Sequence, residues 1–72
     1  MIDITLEGGY VTFYTSVLGA ISSNVELCEV VDENTLHLGT NVGTFLINVN
    51  QFTLNGITFS DSTKAVNYIL NN

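Results

Sequence analysis

The feature that most constrains the fold of this chain is an Asn-Gly pair, Asn55-Gly56, which lies between the apolar residues Leu54 and Ile57. Asn and Gly tolerate the positive φ angles of a two-residue turn, so this pattern predicts a tight β-hairpin. Gly8-Gly9 is a similar pair, and it separates a strictly alternating segment from a second β-prone one. The sequence therefore predicts short antiparallel strands.

The alternation of apolar and polar residues extends this prediction along the chain. Strands are expected at about residues 2–7, 10–14, 25–31, 35–39, 44–49, 52–54 and 57–59. A helix is expected at about 61–70, where Ala65, Val66, Ile69 and Leu70 have helical spacing and Ser60, Asp61 or Ser62 can cap its start. Residues 15–24 are predicted to form a crossing segment with one helical turn. We expect a single domain, residues 1–72, of the mainly β class: an antiparallel meander, sheet-like or barrel-like, with a short C-terminal helix.

The loops predict how these strands pair. Closing the first hairpin at the two glycines sets Leu6 against Val11. A loop with Asn34 in the left-handed conformation sets Cys28 against Leu38. The next strand, residues 44–49, is expected to pair on its other side with residues 52–54 through a turn at residues 50–51.

Two groups of side chains are predicted to face outward and to contact a partner. Val25, Leu27 and Val31 fall on the face opposite Cys28, which makes that strand apolar on both sides. Tyr10 and Tyr14 share the outer side of their strand, and tyrosines are enriched at protein interfaces. These five residues are the predicted interface.

Size and charge also favour association. A chain of 72 residues buries only about 60% of its unfolded surface, and the single cysteine, Cys28, excludes an internal disulfide. Hydrophobic residues make up 46% of the chain and charged residues 11%, as expected where a partner covers part of the surface. We therefore predict a homo-oligomer or a place in a larger assembly.

The net charge of −6 limits the possible partners. Lys64 is the only basic residue besides the single histidine, His37, so binding to nucleic acid or to an anionic membrane surface is not expected. No apolar stretch approaches the roughly 20 residues that span a bilayer. The unpaired cysteine and the lack of a signal-like N-terminus predict synthesis in a reducing cytoplasm.

No residue pattern indicates catalysis, a cofactor, a metal or a small-molecule substrate. His37 and Glu29 are expected opposite each other as a surface pair, without a nucleophile. Cys28 is flanked by acidic residues that oppose a thiolate, and it is interpreted as a buried apolar residue. Asp32, Glu33 and Asn34 lack the spacing of a calcium loop and are interpreted as a turn. The chain is thus predicted not to be an enzyme.

Residues 52–70, FTLNGITFSDSTKAVNYIL, resemble the hairpin-plus-short-helix ending of small bacteriophage-encoded proteins, including virion components. This resemblance implies a capsid decoration protein or a minor head or tail component. It further implies localisation in the virion and contacts with copies of itself or with a capsid protein. No site residue is carried over from it.

Two hypotheses about function follow. The first is a non-enzymatic structural protein of a phage virion that assembles through sheet edges and outward apolar positions. The second is a small acidic phage-encoded inhibitor or regulator that blocks a basic site on a host protein. The residues expected to form its acidic cluster are Glu26, Glu29, Asp32 and Glu33.

Overall fold

A computed structural model describes residues 2–15 and 19–71, with the side chains of residues 14 and 15 left out of the description. Its elements are β1 (Ile2–Glu7), β2 (Tyr10–Thr15), β3 (Gly19–Val30), β4 (Thr35–Thr40), β5 (Gly43–Asn48), β6 (Phe52–Leu54) and α1 (Ser62–Leu70). The strands form one mixed sheet in the order β5-β4-β3-β2-β1-β6, which is not closed into a barrel. The predicted class, mainly β with a short C-terminal helix, is confirmed.

The hairpins between successive strands have the predicted pairing. Leu6 lies opposite Val11 across the Gly8-Gly9 turn, where the two glycines have φ angles of 58° and 78°. Cys28 lies opposite Leu38 in the β3–β4 pair, as expected. The left-handed conformation predicted for Asn34 is wrong, because Asn55 is the only non-glycine residue with positive φ in the described part of the chain. The β3–β4 connection therefore turns without left-handed backbone at Asn34.

The N-terminal half of β3 corrects the predicted crossing segment. β3 begins at Gly19 and pairs with β2, with Ile21 opposite Phe13. Ser23 is buried in this half of β3. A polar residue thus occupies a position where the alternation of a strand would place an apolar one. The predicted helical turn is thus absent from the described residues, and Val17 and Leu18 lie outside them.

β3 changes partner at its middle. Residues up to Asn24 pair with β2, and residues from Val25 pair with β4. Val25 lies opposite Thr40 and Leu27 opposite Gly39, so the bulge at this point places one extra residue in β3. The two halves of the sheet bring β2 and β5 together over the core. There the rings of Phe13 and Phe45 meet edge-on at 5.3 Å.

The position of β6 corrects the predicted meander. β6 does not continue antiparallel from β5; it pairs parallel with β1, with Ile4 opposite Leu54. Residues 49–51 carry the chain across, with Val49 buried and the backbone N–H of Ile2 donating to the carbonyl oxygen of Gln51 at 2.9 Å. Phe52 and Leu54 are buried in this position, and the burial of their side chains favours pairing of β6 with β1 over pairing with β5.

The chain after the Asn55-Gly56 turn also differs from the prediction. Leu54 and Ile57 exchange two backbone hydrogen bonds of 3.0 and 2.9 Å, which confirms the tight turn. The expected strand at 57–59 is limited to this one bridge. The ring of Phe59 packs against Tyr68 of α1 at a centroid distance of 5.4 Å. Contact with the helix replaces strand pairing here.

α1 covers the inner face of the sheet, which we define as the face that carries the core. Asp61 caps the helix by accepting a hydrogen bond from the backbone N–H of Lys64 at 2.9 Å. Ala65, Val66 and Ile69 are buried, and the helix packs on β3 and β4. Within residues 2–15 and 19–71, no helix has the length and apolar character needed to cross a membrane.

Candidate assembly surface

β5 forms one edge of the sheet and pairs with β4 alone among the described strands. It was expected to lie between two strands, and the placement of β6 on β1 leaves its second side without a strand. In an antiparallel strand, alternate residues turn their N–H and C=O groups away from the neighbour. β5 therefore presents backbone groups along this side, which we call the β5 edge.

The β5 edge lies in a segment without charged side chains. Residues 34–60 contain no Asp, Glu, Lys or Arg, although the whole chain has seven acidic residues. All seven lie at or before residue 33 or at Asp61. Residues 34–60, which include β4, β5 and β6, are thus an uncharged segment of a strongly acidic protein.

Apolar side chains are exposed on the outer face of β3 and β5. Leu46, at the centre of β5, is 71% exposed, and Leu27 on β3 is 43% exposed. Leu27 lies over Gly39 of β4, where an added methyl group would approach the Leu27 Cβ to 3.1 Å. Val31, one residue beyond β3, is 54% exposed. We call Leu27, Val31 and Leu46 the outer apolar residues.

A polar pair that includes the acidic residue Glu29 also lies on this face. His37 and Glu29 lie opposite each other on β4 and β3, and His37 Nδ1 is 3.6 Å from Glu29 Oε1. The predicted cross-strand pairing is confirmed. Both side chains are open to solvent, so the pair is attractive only when the imidazole is protonated and contributes little to stability.

An apolar cleft opens beside the β5 edge. Its volume is about 190 Å³, and three consecutive residues of β5, Phe45, Leu46 and Ile47, line one side. Side chains of consecutive residues alternate between the two faces of a strand, so a cleft that touches all three lies at the edge. Ile2 and Phe52 line the opposite side. The β5 edge thus combines an unpaired backbone with an apolar recess.

The five residues of the predicted interface fall in different places. Tyr10, Leu27 and Val31 are exposed, whereas the Tyr14 side chain lies outside the described residues. The prediction that Val25 faces outward is wrong, because Val25 is partly buried against the core. The bulge between Val25 and Leu27 places these residues on opposite faces.

Leu46 was not among the predicted interface residues. Its segment alternates like any strand with one buried face, and the prediction placed it between two neighbouring strands. The signal that identifies it is the absence of charge along residues 34–60 together with an exposed leucine at the centre of the strand. Edge strands ordinarily carry charges or proline that oppose pairing.

The remaining candidate groups have structural roles. Burial, reinforced by the negative charge of Glu29, raises the pKa of the Cys28 thiol to about 11, so the thiol stays protonated at neutral pH. The backbone N–H of Asn34, which donates to Asp32 Oδ1 at 2.9 Å, lowers the pKa of the Asp32 carboxyl group, with a smaller contribution from the Thr35 side chain. These contacts indicate a buried thiol and a loop-stabilising carboxylate.

Three acidic residues come together where the β3–β4 loop meets the start of α1. The Ser62 side chain donates to the carbonyl oxygen of Asp32, and the Ser62 backbone N–H donates to that of Glu33 at 2.8 Å. Asp61 precedes Ser62 directly. This acidic end differs from the predicted cluster, because Asp61 joins Asp32 and Glu33 there while Glu29 pairs with His37 on the outer face.

Comparison of the chain with protein-family models, curated proteins and solved structures gives no match. The surface that stands out by its geometry is the β5 edge with the outer apolar residues. Its β5 strand carries no charged side chain, and it combines exposed apolar residues with a strand side that no described strand pairs.

Proposed function

We propose that this protein is a non-enzymatic structural or assembly protein that acts through protein–protein contacts. The observation that carries this role is the β5 edge, an uncharged edge strand with an exposed leucine at its centre. The resemblance of residues 52–70 to phage virion components supports a bacteriophage particle as the setting. Its place there would be that of a capsid decoration protein or a minor head or tail component.

The physical basis of the contacts is burial of apolar area together with completion of the sheet. Apolar surface is presented by Leu27, Val31 and Leu46. Covering this surface stabilises a complex by about 25 cal/mol per Å² of apolar area buried. The β5 edge offers backbone donors and acceptors that an added strand would pair. A capsid protein and a second copy of the chain are the proposed partners.

The setting is tested by quantitative mass spectrometry of purified particles from the source. We expect the protein in a fixed stoichiometric ratio to the major capsid protein. Abundant protein in the lysate together with its absence from washed particles would contradict the virion role.

The surface is tested by the incorporation of variants into those particles. Leu27→Lys places a charge on the outer face, and Leu70→Lys places the same charge on an exposed leucine of α1. We expect the Leu27 variant to lose at least about tenfold in incorporation and the Leu70 variant to match the wild type. Equal incorporation of both would exclude the outer face as the contact.

A second candidate function, an acidic inhibitor or regulator of a host protein, is favoured by the acidic end formed by Asp32, Glu33 and Asp61. Carboxylates gathered at one place attract a basic site, and such binding weakens steeply with salt. A host protein that binds the wild-type chain at low salt and not the triple Asn/Gln variant would favour this function. Salt-independent binding would count against it.

A further inference from the structure

We infer that the β5 edge binds the β5 edge of a second copy of this chain, antiparallel about a two-fold axis at Leu46, so that two sheets become one continuous sheet. The inference identifies the partner that binds the β5 edge, and it rests on the proposed function in assembly. Three independent features of β5 carry it.

The first feature is the absence of protection against pairing. Natural edge strands avoid association by being short, by carrying charges or proline, or by bulges. β5 has six residues, GTFLIN, with neither charge nor proline, and its register with β4 is continuous from Thr40–Gly43 to Thr35–Asn48. Such an edge is a template for another strand.

The second feature is the charge distribution, which favours a second copy over a basic partner. Two copies with a net charge of −6 repel each other wherever carboxylates meet, and Lys64 is the only side chain with a permanent positive charge to offset them. The uncharged segment 34–60 is where two copies can approach without facing carboxylates. A basic partner would gain more at the acidic end.

The third feature is the self-complementary order of residues around Leu46. In a two-fold antiparallel pair centred there, Leu46 faces Leu46 of the second copy and Phe45 faces Ile47. Thr44 faces Asn48 in the same register. Apolar residues therefore meet apolar residues and polar residues meet polar residues, which an isologous interface requires.

The apolar cleft beside the edge fits the same arrangement. Phe45 and Ile47 line it from the inner side of β5 and Leu46 from the edge itself. An added strand brings its own Phe45 and Ile47 to the inner side, next to this recess. Pairing over five residues buries less than a standard interface of roughly 800 Å² per partner, so we expect a dissociation constant on the order of micromolar.

The test is sedimentation equilibrium of the purified full chain over a concentration series from about 1 to about 200 µM, which brackets that constant. We expect a monomer–dimer equilibrium that becomes tighter from about 0.05 M to about 0.5 M salt, because salt screens the repulsion between the two acidic copies. A monomer throughout the series would overturn the inference. Weakening with salt would also overturn it, since it would indicate a charge-driven contact elsewhere.

Matched variants locate the contact. Leu46→Lys is expected to raise the dissociation constant at least about tenfold, whereas Leu70→Lys, also at an exposed leucine, leaves it unchanged. Circular dichroism is the control for the folding of both variants. A dimer that survives Leu46→Lys would overturn the proposed edge.

Cross-linking tests the two-fold axis. Under mild oxidation Leu46→Cys is expected to form a disulfide-linked dimer, because paired antiparallel residues have Cα atoms within the roughly 4.4–6.8 Å that a disulfide spans. Val42→Cys, exposed in the turn before β5, is expected to stay monomeric under the same oxidation. Equal cross-linking of both would contradict the register.

Hydrogen exchange of the wild type gives a readout that needs no variant. Amide protection of Thr44, Leu46 and Asn48, the alternate residues of β5 whose N–H groups point away from β4, should rise with protein concentration. That of β6 residues 52–54 should stay constant. These measurements use the isolated chain and do not depend on particles. The dimer and the virion role can therefore fail separately.

Discussion

The two edges of the sheet differ in how they end. At one edge β6 has three residues, and Thr53 Oγ1 donates a hydrogen bond of 2.6 Å to the carboxylate of Asp3 on the neighbouring strand. At the other edge β5 has twice the length, and neither it nor β4 contains an acidic or basic residue apart from His37. We call the β6 edge, which its own chain ties to β1, the closed edge, and the β5 edge, which pairs with β4 alone among the described strands, the open edge.

The closed edge is held by side-chain contacts with the neighbouring strand and with the helix. The Asn55 side chain accepts from the backbone N–H of Leu6 at 2.8 Å and donates to the Leu6 carbonyl oxygen at 3.0 Å. It also donates to the Tyr68 hydroxyl at 2.8 Å. The Asn55 side chain thus bonds to β1 and to Tyr68 of α1, and these contacts hold the end of β6 against β1. The two edges thus differ in the contacts that the chain itself supplies.

The largest effect is expected from truncating the anchor of the closed edge. Phe52 is 1% exposed and fills the core beneath β6, so Phe52→Ala should lower the free energy of unfolding by about 3–5 kcal/mol. Leu46→Ala is the control at the open edge and should change it by less than about 0.5 kcal/mol. Urea unfolding at about 1 µM, where the monomer predominates, measures both. An equal loss of unfolding free energy at the two sites would contradict the difference between the edges, because it would mean that Leu46 packs within its own chain.

The next effect concerns the Asn55 turn. Asn55 has a φ angle of 53°, so Asn55→Ala loses the three side-chain hydrogen bonds and strains the backbone; we expect a loss of about 2–3 kcal/mol. Asn55→Gly removes the bonds without the strain and should cost about half as much. Thermal unfolding of the two variants separates these causes. Equal losses would assign the whole effect to the hydrogen bonds.

The local structure of both edges was predictable from sequence. The Gly8-Gly9 and Asn55-Gly56 pairs each require positive φ, so they fix a two-residue turn and with it the register of the neighbouring residues. The β4–β5 pair was predictable for a different reason, since the apolar face of one strand must meet that of the next. Hairpin registers depend on residues close in sequence, and the pattern contains that information.

The contacts between distant residues were not predictable. The pairing of β6 with β1 joins residues about fifty positions apart and depends on where Phe52 and Leu54 find buried space. The bulge in β3 changes the face of Val25, although the residue pattern shows no glycine or break at that point. Both features depend on how the whole chain packs around one core. They also decide the candidate site, because the first exposes the β5 edge and the second removes Val25 from the outer face.

A smaller effect tests how tightly the half of the sheet that ends at β5 is packed. Burial raises the pKa of the Cys28 thiol from its ordinary value of 9.0 to about 11. The folded protein then keeps a proton that the unfolded chain loses, so the stabilisation is complete below pH 9 and is lost as the pH rises through 11. We expect a loss on the order of 1 kcal/mol across this window, and no such loss from this group in Cys28→Ala. Urea titrations from pH 8 to 11.5 measure the difference, with the pH limits set about the two pKa values. If the unfolding free energies of the two proteins changed identically with pH, the thiol would already be open to solvent. The half of the sheet that contains β4 and β5 would then be loosely packed.

The smallest effect is expected at the polar contact of the closed edge. Thr53→Val removes the hydroxyl that donates to Asp3 and should cost about 0.5 kcal/mol, because the contact is exposed and water replaces it. Asp3→Asn removes the charge but keeps an acceptor, and sedimentation equilibrium should find the same monomer–dimer equilibrium as for the wild type. New species larger than a dimer would show that the charge of Asp3, and not the three-residue length of β6 and its Asn55 turn, keeps this edge closed. An unchanged equilibrium would assign the difference between the edges to the length of β6 and to the contacts of its Asn55 turn with β1 and α1.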